Sequence, residues 1–206
     1  MGKNQIVILL LFLAIAGVGW FFFSGREGFV DIPKKEGAIV AFGDSLVEGV
    51  GSSGGGFVSI LSSRLETPII NMGVSGDTTE SGLKRFDTDV LTLKPKIVLL
   101  LLGGNDGLRK LSPEDTFARL RLMIDQVHDQ GGAVLLMGIK PAIFNQDFNK
   151  RFSQLAKESG VSFVPDILKG LVGQQEYMSD PIHPNDNGYG IVADRIEPLL
   201  KKMLLK

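Results

Sequence analysis

Five short apolar runs, each continuous rather than alternating, constrain this chain most: Ala38–Phe42, Pro68–Asn71, Lys96–Leu102, Ala133–Met137 and Val161–Val164. A strand with one wet face alternates polar and apolar residues. Uninterrupted runs of this length predict strands covered on both faces, as in a parallel sheet. Helical patterns lie between them. Ser112-Pro113-Glu114-Asp115 offers a capping hydroxyl, a first-turn proline and acids at the positive end of a helix. Phe117, Leu120, Ile124 and Val127 follow at helical spacing, and Gly131-Gly132 ends the pattern. Val192, Ile196, Leu199, Leu200 and Met203 mark one side of a last helix. Strand and helix in alternation predict a doubly wound α/β fold with right-handed crossovers. Sites in such folds lie beyond the carboxyl ends of the strands.

The 206 residues suffice for one such domain and are too few for two ordinary ones. The chain has no cysteine, which excludes thiol nucleophiles, disulfides and zinc–thiolate sites. Its 22 basic and 23 acidic residues leave a net charge of −1, and no basic run with interleaved aromatics points to nucleic acid. With two histidines and no H-E-x-x-H pattern, no metal site is expected.

Ile6 to Phe23 are 18 consecutive uncharged, mostly apolar positions behind a head carrying Lys3. As a helix the run would span about 27 Å, close to the hydrocarbon thickness of a bilayer. Trp20 and Phe21–Phe23 stand where an interfacial aromatic belt would fall. A cleaved signal peptide competes with the anchor, with Ala14-Ile15-Ala16 as its cleavage pattern. Cleavage there would leave Val18 and Trp20–Phe23 as an apolar terminus, which favours the anchor. The flanking charges, Lys3 on one side and Arg26, Lys34 and Lys35 on the other, nearly tie on orientation. The expected organisation is therefore an anchor or signal segment over 1–25, a linker over 26–37 and a globular domain over 38–206.

Four segments that follow strands carry chemistry: Gly43-Asp44-Ser45-Leu46, Asn71–Thr78, Gly103-Gly104-Asn105-Asp106 and Asp180-Pro181-Ile182-His183. Alone, the first reads as a strand-to-helix turn capped by Ser45. It is not the Gly-x-Ser-x-Gly elbow, because Val47 holds the final glycine position. Together the four place a serine hydroxyl, an imidazole and a carboxylate on one edge of a sheet. A serine becomes nucleophilic only when a base takes its proton and a carboxylate orients that base. Asn105 and backbone N–H groups near the glycines can supply donors to an oxyanion, each worth about 3–4 kcal/mol.

With these residues in this order the chain resembles the SGNH (GDSL) hydrolase family, and its bacterial thioesterase, arylesterase and lysophospholipase group in particular. The resemblance runs from Ala38 to Leu200 and includes the strings Ser75–Thr78 and Gly103–Arg109. It implies a three-layer α/β/α sandwich around a five-stranded parallel sheet, flavodoxin-like in topology, with no cofactor and no metal. It implies Ser45 as nucleophile, His183 as general base and Asp180 as its orienter. The oxyanion hole would be the N–H groups of Ser45 and Gly76 with the Asn105 side chain. The expected substrate is a small ester or thioester, lipid-derived esters included, and the expected protein is a monomer held at the membrane by its first helix. Because members of the group are usually exported, the resemblance places the domain outside the cytoplasm.

Two other readings remain beside this one: deacetylation of O-acetylated envelope carbohydrate, and a non-enzymatic, membrane-anchored module that binds lipid or glycan. Gly49–Gly54 matches G-x-G-x-x-G, but it does not directly follow a strand, and Asn71 stands where a ribose-binding acid belongs. Gly49–Gly56 reads instead as a mobile loop by the site and, with Lys140–Asn149, as a substrate wall. His128 reads as a helix-edge residue, and Asp87 and Asp89 as solvated charges.

Overall fold

The computed structural model describes residues 29–140 and 146–205. The expected membrane segment lies outside them, and no helix among the described residues is long and apolar enough to cross a membrane. All five expected strands form, with ends shifted by at most two residues: β1 Ile39–Gly43, β2 Ile69–Gly73, β3 Ile97–Leu101, β4 Ala133–Met137 and β5 Ser162–Val164. They make one parallel sheet in the order β2-β1-β3-β4-β5. β1, β3 and β4 are buried along their whole length, which is why their sequences are apolar without alternation. β2, at one edge, carries the exposed Asn71.

Seven α-helices accompany the sheet among the described residues: α1 Ser45–Glu48, α2 Gly56–Arg64, α3 Thr79–Asp89, α4 Gly104–Leu108, α5 Pro113–Asp129, α6 Gln146–Ser159 and α7 Asp186–Leu204. α2 packs with α7, while α5 packs with both α3 and α6. This is the three-layer arrangement, with the strand order reversing direction between β1 and β3. α5 begins as its sequence predicts: Ser112 Oγ accepts from the Asp115 N–H, and Phe117, Leu120, Ile124 and Val127 are buried. On α7, Val192, Ile196, Leu200 and Met203 face the core.

The stretch 29–37 has no helix or strand, yet Asp31 in it is buried. Its N–H donates to Ser162 Oγ at 2.9 Å, and its Oδ2 accepts the Val134 N–H at 2.8 Å and meets His128 Nε2 at 2.8 Å. His128, at the end of α5, thus fastens the entering chain to the sheet. Nor is Asp89 a free surface charge, since its Oδ2 lies 2.9 Å from Arg85 Nη1.

Arg85 is a junction between α3 and the strand ends. Its Nη2 donates to the carbonyls of Gly43 at 3.1 Å and Met72 at 3.0 Å, and its guanidinium meets Asp77 Oδ2 at 2.7 Å. The same group lies 4.2 Å from the centre of the Phe42 ring, which packs edge-on to Phe86 at 5.0 Å. Phe42 is fully buried beneath this junction. Phe42→Ala should lower unfolding free energy by about 3–5 kcal/mol in chemical denaturation, because it removes the ring from both partners and leaves a cavity.

Candidate active site

The parallel register aligns Gly43 with Gly73 on one side and Leu101 on the other, so β1, β2 and β3 stop at one height. The segments after them are the ones that carry Ser45, Gly76 and Asn105. Ser45 is the first residue of α1, and the cap is Asp44, whose side chain accepts from the Leu46 N–H. The turn therefore does not use the Ser45 hydroxyl as its cap. The Ser45 N–H, in the first turn of a helix, has no intrahelical acceptor.

His183 comes from the opposite side, on the loop that leads into α7. Its Nε2 lies 2.9 Å from Ser45 Oγ, and its Nδ1 lies 2.7 Å from Asp180 Oδ2. The other carboxylate oxygen of Asp180 accepts the N–H groups of Ile182 and His183, each at 2.7 Å. The D-x-x-H spacing thus closes a local turn around one carboxylate. Partial burial pushes Asp180 up, but the His183 ring and the two backbone donors outweigh it and hold its pKa down at about 2. With Asp180 ionised, Nδ1 carries the imidazole proton and Nε2 is left to accept from the Ser45 hydroxyl.

Gly76 sits at φ +81°, in a turn closed by the Asp77 N–H on the Val74 carbonyl at 3.1 Å. A positive φ at this turn position selects glycine. Arg109 Nη2 donates to the Gly76 carbonyl at 2.9 Å, which fixes the plane of the peptide that follows. Glu48, on the helix of Ser45, accepts from both the N–H and the hydroxyl of Ser75 through Oε2. One carboxylate therefore ties the helix of Ser45 to the turn of Gly76. Asn105 Nδ2 donates to the Asp77 carbonyl at 2.9 Å and has a longer contact of 3.4 Å with Asp44 Oδ2. The first bond fixes the amide plane, and the second hydrogen of the amide is only weakly engaged.

The structure also revises the loop over Gly49–Gly56, which is pinned at several points. Asp186, at the start of α7, accepts from Ser52 Oγ at 2.5 Å, Ser53 Oγ at 2.6 Å and Ser53 N at 3.0 Å. The buried Tyr189 donates its hydroxyl to the Val50 carbonyl at 2.9 Å. Gly51, at φ +91°, lies so close to the His183 loop that a Cβ there would come within 2.3 Å of Ser179 Oγ and 2.5 Å of the Pro184 carbonyl. The loop acts as a brace behind the imidazole. Of the other proposed wall, 141–145 lie outside the described residues. No group of three or more His, Cys, Asp or Glu side chains arranged to hold a metal occurs among the described residues.

Sequence reasoning gave Glu48 and Asp186 no role at the site. Their partners are 27 and 133 or more residues away, and no local pattern announces such bonds. Asp44 is buried beside the site, and desolvation pushes its pKa up to about 7 against the opposing Leu46 N–H. The native state thus keeps a proton that the unfolded chain loses near 3.8, so ionising Asp44 costs stability as pH rises through that interval. Comparing chemical unfolding at pH 5 and pH 8, Asp44→Asn should remove a decline of about 2–3 kcal/mol that the unaltered protein shows.

With this geometry in hand, comparison with known proteins identifies the relatives. Residues 41–191 match the model of the GDSL-like Lipase/Acylhydrolase family. The chain is 33% identical over 175 residues to the Escherichia coli protein called thioesterase 1/protease 1/lysophospholipase L1, covering 79% of this chain and 84% of that one. It is 32% identical over 178 residues to esterase TesA of Pseudomonas aeruginosa, covering 81% of this chain and 89% of the relative. A crystal structure of TesA superposes with a TM-score of 0.75 at 30% identity, over 81% of this chain and 99% of that one. A family match that spans every segment of the site, together with relatives of this identity, shows that the chain belongs to the GDSL-like lipase/acylhydrolase family.

Proposed function

We propose that this protein hydrolyses carboxylic esters or thioesters through an acyl-enzyme on Ser45, with no metal or organic cofactor. The observation that carries this reading is the chain of hydrogen bonds from Asp180 through His183 to Ser45, at 2.7 and 2.9 Å. In this reading His183 Nε2 takes the hydroxyl proton as Ser45 Oγ attacks the acyl carbonyl. The oxyanion is held by the N–H groups of Ser45 and Gly76 and by the Asn105 amide. Collapse expels the alcohol or thiol, which receives the proton from His183. Water, deprotonated by the same nitrogen, then attacks the acyl-enzyme and frees the acid. Asp180 stays ionised throughout and holds the imidazolium in place. The names of the relatives, an esterase and a thioesterase/lysophospholipase, agree with this substrate class.

We place the domain at a membrane, outside the cytoplasm. Support for the membrane comes from the length and apolarity of Ile6–Phe23 and its aromatic end, and support for the outer side from the export that the family resemblance implies.

Ser45→Ala should reduce kcat on p-nitrophenyl butyrate by about a thousandfold or more and abolish labelling by a fluorophosphonate probe. Full activity in that variant would overturn the reading. Glu48→Ala should lower kcat about tenfold with KM nearly unchanged, because the tie to Ser75 orients the Gly76 donor and does not touch the acyl group. Steady-state kinetics on the same ester separates the two parameters, and Glu48→Gln, which still accepts from Ser75, should recover part of the loss.

A further inference from the structure

We infer that a short tether holds the catalytic edge away from the bilayer that carries the chain, so that Ser45 takes water-borne acyl substrates and not lipids of that leaflet. The inference rests on the anchoring proposed above for Ile6–Phe23.

Five residues, Ser24 to Gly28, separate the end of that apolar run from Phe29. Whatever their conformation, six chain steps reach at most about 20 Å. The far end of this tether is fixed at the amino edge of the sheet. The Phe29 ring packs beside Gly160, just before β5. Asp31 is locked by Ser162 and Val134 at the starts of β5 and β4, and the Lys34 N–H donates to the Gly131 carbonyl at 2.9 Å. Ser45, Gly76 and Asn105 follow the opposite, carboxyl ends.

Helix α7 measures the gap between the two edges. It starts three residues after His183 and runs 19 residues, about 28 Å, to Leu204. Leu204 and Leu205 line a hollow with Ile32, Lys34 and Lys96 at the amino edge. Turning the domain over to set Ser45 on the bilayer would lift Phe29 to about that height. The tether is too short for this.

Exposed apolar area alone would not decide the matter. Val74, Leu108 and Ile182 are 44%, 40% and 45% exposed on the catalytic side, against 63%, 44% and 71% for Phe29, Ile32 and Leu205 on the other. Charge adds to the tether. Lys34, Lys94 and Lys202 are exposed at the amino edge, with Lys35 and Lys96 partly covered. The acids there include Glu36, which lies 3.6 Å from Lys96, Glu158, which pairs with Arg121, and Glu66 and Asp129. On the catalytic side the exposed acids Glu48, Glu176, Asp180 and Asp186 stand against Arg109, Lys110 and Lys140, with no excess of base. An anionic headgroup layer therefore attracts the amino edge more than the catalytic one. The apolar rim of Val74, Leu108 and Ile182 is left to receive an acyl group from solution.

The absence of cysteine makes the test direct. The full chain, as Ile32→Cys or Leu108→Cys, is labelled with an environment-sensitive fluorophore and reconstituted into phosphatidylcholine/phosphatidylglycerol vesicles that contain a headgroup-level quencher. The label at position 32 should be quenched severalfold more than the label at 108. Inserting about twenty Gly/Ser residues after Gly28 should raise quenching at 108 and hydrolysis of a lysophospholipid in the same vesicles, with p-nitrophenyl butyrate turnover unchanged. Quenching at 108 equal to that at 32 without the insertion would overturn the inference. Protein that washes off the vesicles would refute the anchor instead, and loss of butyrate turnover in the unaltered chain would refute the proposed chemistry.

Discussion

The register of β1 against its two neighbours is the constraint on which the site depends. Gly43 pairs across from Gly73 and from Leu101, so three loops leave the sheet at one level and meet over β1. Arg85 reinforces that level from beneath by binding the carbonyls of Gly43 and Met72 at once. A slip of one residue in either pairing would move Gly76 or Asn105 by about 3.3 Å relative to Ser45. That exceeds the tolerance of any hydrogen-bonded oxyanion site. The apolar strands thus stabilise the core and set the geometry of the reacting groups with the same contacts.

The two carboxylates nearest Ser45 and His183 show how environment divides one chemical group into two states. Asp180 has a side chain 44% exposed and accepts three hydrogen bonds within its own turn, so it remains charged down to about 2. Asp44 is 4% exposed and accepts one backbone bond and one long amide contact, so burial dominates and its pKa rises to about 7. The exposed acid is the one suited to hold an imidazolium. The buried one caps α1 and touches Asn105 with a carboxyl that is mostly neutral below about pH 7, and there it competes least for the amide that the proposed oxyanion would need.

Strand positions and the faces of α5 and α7 were legible in the sequence because each rests on a local pattern: an apolar run, a cap, a stripe. The triad types were legible too, since D-x-x-H closes its own turn and G-D-S-L follows a strand. What could not be read are bonds between distant segments. Asp31 lies in a stretch that reads as linker, yet it is tied to β4, β5 and His128 by contacts that only the folded sheet creates. The glycine-rich Gly49–Gly56 reads as mobile for the same reason, because its restraint comes from Asp186 and Tyr189, over 130 residues on. Glycine content reports what a backbone is able to do, whereas long-range acceptors decide what it does.

Chain direction in a parallel sheet separates the two ends of the molecule by function. Every strand enters at the edge where Asp31 and Lys34 are fastened and leaves at the edge where Ser45, Gly76 and Asn105 converge. α7 then returns the chain from His183 to the entry edge, so its carboxyl end lies beside the segment that enters from the amino-terminal side. Any element joined to the start of this domain by a short connection is therefore held on the side opposite the chemistry. In a doubly wound domain anchored at its amino terminus, reach toward the anchoring surface is limited by linker length more than by the apolar character of the active-site rim. Under the anchoring proposed for Ile6–Phe23, five intervening residues against a helix of 19 leave the rim facing water.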